Sequence, residues 1–314
     1  MTSIHSHKKW VVSGQELWQW RDEAMAAAKV VAIPSAEVDW LLQELAGLDR
    51  LTLRLESFKH WPQVQLCLSL AALTELWQKR IQDRVPVQYL AGTTPWRQFN
   101  LTVSPAVLIP RPETELIIDL AVAAAQASAI AATSGPGSAR VEPEIWVDLG
   151  TGSGAIAIGL ATAFPAAKLC AVDCSPAALA VAQQNATDLG LGDRIQFFQG
   201  DWFQPLAGLK GQLRGMVSNP PYIPKGMLSG LQPEVAWHEP HLALDGGEDG
   251  LDCIRYLVAT APIYLKSGGI WLIELMAGQA EQVVELLEKQ GDYDRIQVHA
   301  DLAGIDRFVL AYRR

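Results

Sequence analysis

The stretch Ile145-Trp146-Val147-Asp148-Leu149 runs into Gly150-Thr151-Gly152-Ser153-Gly154 and then into Ala155-Ile156-Ala157-Ile158-Gly159-Leu160-Ala161. An apolar run of strand length, a glycine-rich turn and an apolar helical run in succession read as one strand–turn–helix step of an α/β sheet. Glycines let the backbone approach a nucleotide-like ligand closely, and the following helix presents its positive end. NAD-, flavin- and S-adenosylmethionine-binding folds all use such a turn, so by itself it sets the fold class and not the ligand. The spacing is G-x-G-x-G rather than the full G-x-G-x-x-G, which weighs against NAD.

Three further segments follow in the order such a fold requires. Lys168-Leu169-Cys170-Ala171-Val172-Asp173 reads as a second strand ending in an acid about twenty residues on, where ribose hydroxyls are recognised. Gly200-Asp201-Trp202-Phe203 closes a third strand; there Asp201 can accept an adenine amine and Trp202 can cover the ring. Arg214-Gly215-Met216-Val217-Ser218 reads as a buried strand and ends in Asn219-Pro220-Pro221-Tyr222. The Asn219 side-chain oxygen can accept one hydrogen of a planar NH2 group, and the rigidly aimed Pro220 carbonyl can accept the other. Tyr222 can stack on the flat group. Each segment alone reads equally well as a tight turn, a surface acid, a helix cap or a proline-rich loop. Together, on successive strand ends, they spell a class I S-adenosylmethionine-dependent methyltransferase acting on an amide or exocyclic amine.

The chain of 314 residues has room for two domains, and 49% hydrophobic with 19% charged residues is a globular composition. The alanine-rich stretch 116–132 is broken by Asp119 and Gln126 and is too weak for a membrane span. Residues 1–9 lack the apolar core of a signal peptide. Cys67, Cys170, Cys174 and Cys253 are irregularly spaced, as reduced thiols of a cytoplasmic protein are. Of the net charge of −9, residues 1–90 supply ten basic and ten acidic residues and the remainder 15 and 24. The acidic surplus therefore falls on the catalytic half and argues against a duplex nucleic-acid partner. His238 and His241 sit in a proline loop without further ligands, and no metal is expected.

Ser13 with Glu16 fits a capping box ahead of a helix over 15–31; Pro34-Ser35 opens a second that Gly47 stops. Pro62 opens a third over 63–82. Residues 10–90 show no strand-like alternation, so a small helical domain is expected, with Trp10, Trp18, Trp20, Trp40, Trp61 and Trp77 mostly in its core. Alternation over 98–103, then Ala106-Val107-Leu108-Ile109 after a Ser-Pro turn, predict a β-hairpin joining the domains, with a helix from Leu116 and a loop over 133–144. Strands are predicted at 145–149, 168–173, 195–199, 214–218, 270–275, 295–299 and 305–312, the last two an antiparallel pair at the sheet edge. Helices are predicted at 154–164, 176–189, 249–264 and 279–290. The predicted limits are 1–90 for the helical domain, 91–112 for the hairpin linker and 113–314 for an α/β catalytic domain with a seven-stranded, Rossmann-like sheet.

These motifs resemble the glutamine-specific protein methyltransferases that modify peptide-chain release factors, over about residues 84–312. Pro86-Val87-Gln88-Tyr89-Leu90-Ala91-Gly92 looks like that family's domain junction, and Val107-Leu108-Ile109-Pro110-Arg111-Pro112-Glu113-Thr114-Glu115 resembles its most specific signature. Asn219-Pro220-Pro221-Tyr222 is shared with adenine and guanine methyltransferases; the signature run separates them. Glu239-Pro240, Ala243-Leu244-Asp245-Gly246-Gly247 and Asp249-Gly250-Leu251-Asp252 resemble a further family stretch, and the Gly246-Gly247 run reads as a turn near the site. In Ile273-Glu274-Leu275-Met276-Ala277-Gly278-Gln279 a glycine is displaced from the family pattern, and a local loop change is expected there.

The resemblance implies S-adenosyl-L-methionine as methyl donor and class I release factors as protein substrate, with the glutamine of Gly-Gly-Gln converted to N5-methylglutamine. It implies a cofactor site of Gly150, Thr151, Gly152, Ser153, Gly154, Asp173, Trp202 and Asn219, joined by Asp201 on the reading above. It implies that Asn219, Pro220, Pro221 and Tyr222 hold the glutamine, that Asn219, Pro220 and Tyr222 carry the catalysis, and that the helical domain docks the release factor. Arg111 and Glu113 of the signature fit a salt-bridged structural role as well as substrate contact. A sibling enzyme acting on a ribosomal-protein glutamine would differ only in the helical domain. A nucleic-acid amine methyltransferase shares the Asn219 loop but not the acidic balance. A non-catalytic cofactor-binding module leaves Asn219 without a purpose, and an NAD oxidoreductase leaves the whole Asn219 loop unexplained.

Overall fold

The structure is a computed structural model that describes residues 9–132 and 143–314. Most of the loop expected over 133–144 lies outside the described residues. The chain forms two compact units: one runs to Thr94 and includes Gln232–His238, the other comprises Pro95–Leu231 and Glu239–Arg314.

The first unit contains β1 (Trp10–Val12), α1 (Gly14–Val30), α2 (Ala36–Ala46), α3 (Arg50–Leu55), β2 (Val64–Leu66), α4 (Leu70–Gln82) and α5 (Val87–Ala91). The capping box forms: the Glu16 amide donates to Ser13 Oγ at 3.2 Å and the Ser13 amide to Glu16 Oε2 at 2.9 Å. Gly47 ends α2 in the left-handed region, φ 63°. The helix expected over 63–82 is instead two elements. Residues of β2 pair antiparallel with β1, and α4 begins only after Ser69, whose hydroxyl caps the Ala72 amide at 3.2 Å. Val64 and Leu66 are buried with Gln65 exposed between them, an alternation too short to stand out beside the Pro62 start signal. The tryptophans divide. Trp20 and Trp77 are core, their indole N–H groups on Thr74 Oγ1 and the Ala24 carbonyl, whereas Trp10 and Trp61 are exposed. Arg80 is buried with Glu37 at 2.5 Å and Glu234 at 2.7 Å.

The chain enters the second unit through a hairpin of β3 (Thr93–Trp96) and β4 (Phe99–Thr102). The hairpin was expected between 98–103 and 106–109, but 106–109 forms no strand. The turn lies at Arg97, φ 53°, whose amide donates to Glu115 Oε1 at 2.8 Å. Pro95 inside Thr-Thr-Pro-Trp masks the first strand in the sequence, since proline is confined to strand edges.

There follow α6 (Leu116–Ala132), β5 (Ile145–Leu149), α7 (Ala155–Ala163), β6 (Lys168–Asp173), α8 (Pro176–Asp188), β7 (Ile195–Gln199) and β8 (Leu213–Ser218). The chain then leaves for α9 (Pro233–His238), counted with the first unit, and returns for α10 (Asp252–Tyr264), β9 (Leu265–Glu274), α11 (Ala280–Gln290), β10 (Tyr293–Ala300) and β11 (Asp306–Arg313). The seven strands lie in the order β10-β11-β9-β8-β5-β6-β7. The β5, β6, β7, β8 and β9 ladders are parallel, and β11 pairs antiparallel with both β9 and β10. The predicted terminal pair thus forms, and β10 is its edge strand.

Side chains alternate between the two faces because successive Cβ atoms of a strand point oppositely. Trp146 joins the core made with α6 and α7, while Val147 and Leu149 join the one made with α10 and α11. Strand order reverses between β5 and β8, and the ends of these strands form the crevice where open α/β sheets bind ligands. One contact inside this switch is tight. Trp146 pairs with Gly215, and a Cβ on Gly215 would lie 2.3 Å from the indole, which is itself stacked on Phe164 at 4.6 Å. Gly215→Ala is therefore expected to lower stability by about 1–3 kcal/mol in urea unfolding. Gly208→Ala, whose Cβ meets nothing within 4 Å, is the control expected to leave it unchanged.

Candidate functional site

The glycine turn after β5 has three left-handed residues: Gly150 at φ 76°, Gly152 at 53° and Gly154 at 82°. Two carboxylates hold it, Asp148 buried and Asp173 half-buried. Asp148 Oδ2 accepts from the Thr151 hydroxyl at 2.6 Å and from the Ala157 amide at 3.1 Å. Burial pushes the Asp148 carboxyl up to about 7. Asp173 Oδ2 accepts from the Gly152 amide and Oδ1 from the Ser175 amide, both at 2.9 Å, which leaves each oxygen a further lone pair for a ligand hydroxyl. From behind, Asn185 Nδ2 donates to the Ser153 carbonyl at 2.9 Å. Trp202, at φ 49°, places its ring edge 3.5 Å from the Cβ position of Gly150.

At the end of β8 the Ser218 hydroxyl donates to the Leu149 carbonyl at 2.6 Å and ties the two loops together. Asn219 Nδ2 donates to Thr114 Oγ1 at 3.3 Å. The Tyr222 hydroxyl donates to Glu274 Oε1 at 3.1 Å, and burial raises its pKa. Gln279 Nε2 donates to the Tyr222 carbonyl at 3.0 Å, and Gln279 Oε1 accepts the Met276 amide at 3.0 Å. The displaced glycine, Gly278, takes φ 89° in that turn. Gly246 and Gly250 press on the same loop: their Cβ positions lie 2.8 Å from Tyr222 Cα and 2.3 Å from its carbonyl oxygen. This is why Gly246 and Gly250 are glycine, whereas Gly247, at φ 91°, leaves room for the Asp252 carboxyl.

One cavity of about 260 Å³ unites these loops. Gly150, Thr151, Gly152, Ser153, Asp173 and Asp201 line it, with Trp202, Asn219 and Pro221. Three expected residues stand behind the wall. Gly154 packs against Ala182, its Cβ position 3.1 Å from the Ala182 Cβ; Pro220 is buried; and Tyr222 is anchored on Glu274. Thr114, Pro240, Asp245 and Cys253 line the cavity too, although motif spacing gave them no role there. Arg111 of the signature run also lines it and holds Glu239 at 2.6 Å, a carboxylate that burial shifts upward. Among the described residues no three His, Cys, Asp or Glu side chains come together as a metal site.

The cavity fits S-adenosylmethionine. Three carboxylates, Asp173, Asp201 and Asp245, and one guanidinium, Arg111, face it, a balance suited to a ligand bearing sulfonium and ammonium charges. The Trp202 ring, beside the Gly150 turn, lines the same cavity and offers a flat ligand ring a face to lie against.

Residues 140–231 match the family described as methyltransferase small domain. A release factor glutamine methyltransferase of Synechocystis sp. is 52% identical over 96% of this chain and 98% of its own. Those of Thermosynechococcus vestitus and Gloeobacter violaceus are 47% and 45% identical, over 96% and 93% of this chain and 99% and 96% of their own. These matches take in the helical unit as well as the segment 84–312. Among solved structures, the hMettl16 catalytic domain in complex with an RNA hairpin superposes with a TM-score of 0.52 at 13% identity, covering 77% of this chain and 80% of that one, a likeness of fold alone. The seven-stranded sheet is that of the class I S-adenosylmethionine-dependent methyltransferases. Trp202→Ala is expected to weaken S-adenosylhomocysteine binding by about 1–3 kcal/mol in calorimetry, the usual worth of an aromatic platform under a base.

Proposed function

The chain belongs to the release factor glutamine methyltransferase family, and from that premise we propose that it methylates the side-chain amide nitrogen of the Gly-Gly-Gln glutamine in class I release factors. The observation that supports this reading is the cavity shared by the Gly150–Ser153 turn and Asn219. When bound, S-adenosylmethionine supplies an electrophilic methyl group on a sulfonium. Asp173 takes the ribose hydroxyls, while Asp201 and Trp202 take the adenine.

Asn219 and Pro220 act on the acceptor. An amide nitrogen is a poor nucleophile because its lone pair is delocalised into the carbonyl. With Asn219 Nδ2 on Thr114, its Oδ1 is the atom left to accept one amide hydrogen of the glutamine. The Pro220 carbonyl accepts the other. Together they aim the nitrogen at the methyl carbon and stabilise the positive charge that grows on nitrogen. The nitrogen–carbon bond forms as the carbon–sulfur bond breaks, its electron pair staying on sulfur. One amide proton then leaves to water, so no carboxylate base is needed. Pro221 forms the wall beside the glutamine, and Tyr222, held by Glu274, backs it from behind.

The first unit is assigned the docking of the release factor; its exposed Trp10 and Trp61 are suited to a protein surface. No described helix is long and apolar enough to cross a membrane. The cytoplasm, where release factors act, is the proposed location.

Labelled S-adenosylmethionine offered with a release factor, the same factor carrying Gly-Gly-Ala, ribosomes and DNA tests the assignment. Label on the intact factor alone is expected; label on a ribosomal protein or on DNA reassigns the acceptor. Asn219→Ala is expected to lower kcat by about 10²–10³-fold while cofactor binding persists. Near-normal turnover in that variant contradicts the proposed mechanism.

A further inference from the structure

Glu274, the last residue of β9, has no part in the chemistry above, yet it is fully buried beside it. Ser218 pairs with Ile273, so Asn219 and Glu274 stand next to each other at the ends of adjacent parallel strands. Glu274 Oε1 accepts the Tyr222 hydroxyl at 3.1 Å, and the Thr114 side chain lies close enough to the same carboxyl group to hold its pKa down. Glu274 Oε2 is buried without a close partner of its own. Thr114 Oγ1 in turn accepts from Asn219 Nδ2. A chain of polar groups thus joins Tyr222, Glu274, Thr114 and Asn219.

An asparagine amide can face either way, and only one orientation presents an acceptor to a substrate N–H. Nothing in Asn219 itself makes that choice. A carboxylate can only accept, so Tyr222 gives its hydroxyl hydrogen to Glu274, and an ionised Glu274 offers the Thr114 hydroxyl an acceptor and no donor. Thr114 then has only lone pairs to offer Asn219, which must turn Nδ2 towards it and Oδ1 towards the acceptor. A protonated Glu274 can donate to Thr114 instead, which frees the threonine hydrogen for Asn219 Oδ1 and removes the bias. We propose that Glu274 is a positioning residue that, through Thr114 and Tyr222, sets the orientation of the Asn219 amide and hence readiness for transfer. The inference rests on the methyltransferase reading above.

The charged and titratable groups facing Glu274 are Tyr222, Glu113 and Arg307, with burial the largest influence. Burial raises its pKa most, the contacts with Thr114 and Tyr222 lower it, and Glu113 and Arg307 add smaller opposing influences, with the outcome at about 7. The acceptor-only form therefore dominates above that pH and is lost below it. The relay also gives the signature run a purpose: Thr114 carries orientation from β9 to Asn219.

The test follows kcat and KM against pH for the full chain with a release factor and labelled S-adenosylmethionine, in wild type, Glu274→Gln, Thr114→Val and Thr114→Ser. Wild-type kcat is expected to fall as pH drops through about 7. Glu274→Gln and Thr114→Val are expected to lose about tenfold or more in kcat, with KM and S-adenosylhomocysteine affinity held within about twofold, and to lack that acid limb. Thr114→Ser, which keeps the hydroxyl, is expected to restore both rate and limb. Wild-type kcat in Thr114→Val, or an unchanged acid limb in either variant, overturns the relay while leaving the function intact. Should Glu274→Gln fail to fold, the two Thr114 variants decide the matter. A wild type that labels no release factor overturns the function and this inference with it.

Discussion

The pairing of β5 with β8 is the constraint on which the site depends. Leu149 stands opposite Ser218, and the Ser218 hydroxyl on the Leu149 carbonyl locks the two strand ends at the point where each chain turns out of the sheet. A shift of one residue would send every side chain of β8 to the other face and carry Asn219 away from the Gly150 turn. The register is itself enforced by packing, because only a glycine at 215 leaves room for the Trp146 ring. Core volume thereby places a polar pair of loops.

Around that junction the chain buries carboxyl groups where most folds bury apolar ones, and burial raises the pKa of each. Asp148 pins the Gly150 turn from below, Glu239 is held by Arg111, and Glu274 anchors Tyr222. Burying a charge is costly, which is why each of the three has a donor or cation against it. Such sites hold backbone loops in fixed conformations that apolar packing alone would leave free to slide. The cavity they surround is acidic, as a cationic methyl donor requires.

Where the sequence reading departed from the structure, the competing signals were local and the deciding ones were not. Pro62 is a sound helix-start signal, yet Val64 and Leu66 found a strand partner at Val12 and Trp10, more than fifty positions away. The hairpin was displaced because Pro95 hid a strand and because Glu115, on a later element, fixed the turn at Arg97. Glu274 and Gln279 lay in a stretch read only as a departure from pattern; their partners, Tyr222 and the loop of Gly250, are distant in sequence.

The alternation of strands and helices from Ile145 onward, the glycine turn, the acid that ends β6, the acid after β7 and the Asn219 loop are all legible in the chain alone, because each rests on short-range periodicity and on residue types with narrow conformational or hydrogen-bonding options. The capped start of α1 and the glycine stop of α2 are legible for the same reason. Folding alone sets which way Asn219 faces, turns Tyr222 to Glu274 instead of into the cavity, and brings Thr114, Asp245 and Cys253 into the wall. Those outcomes depend on strand order and register, which bring together residues up to about a hundred positions apart. No local pattern encodes such distances; they follow from the packing of two faces of one sheet.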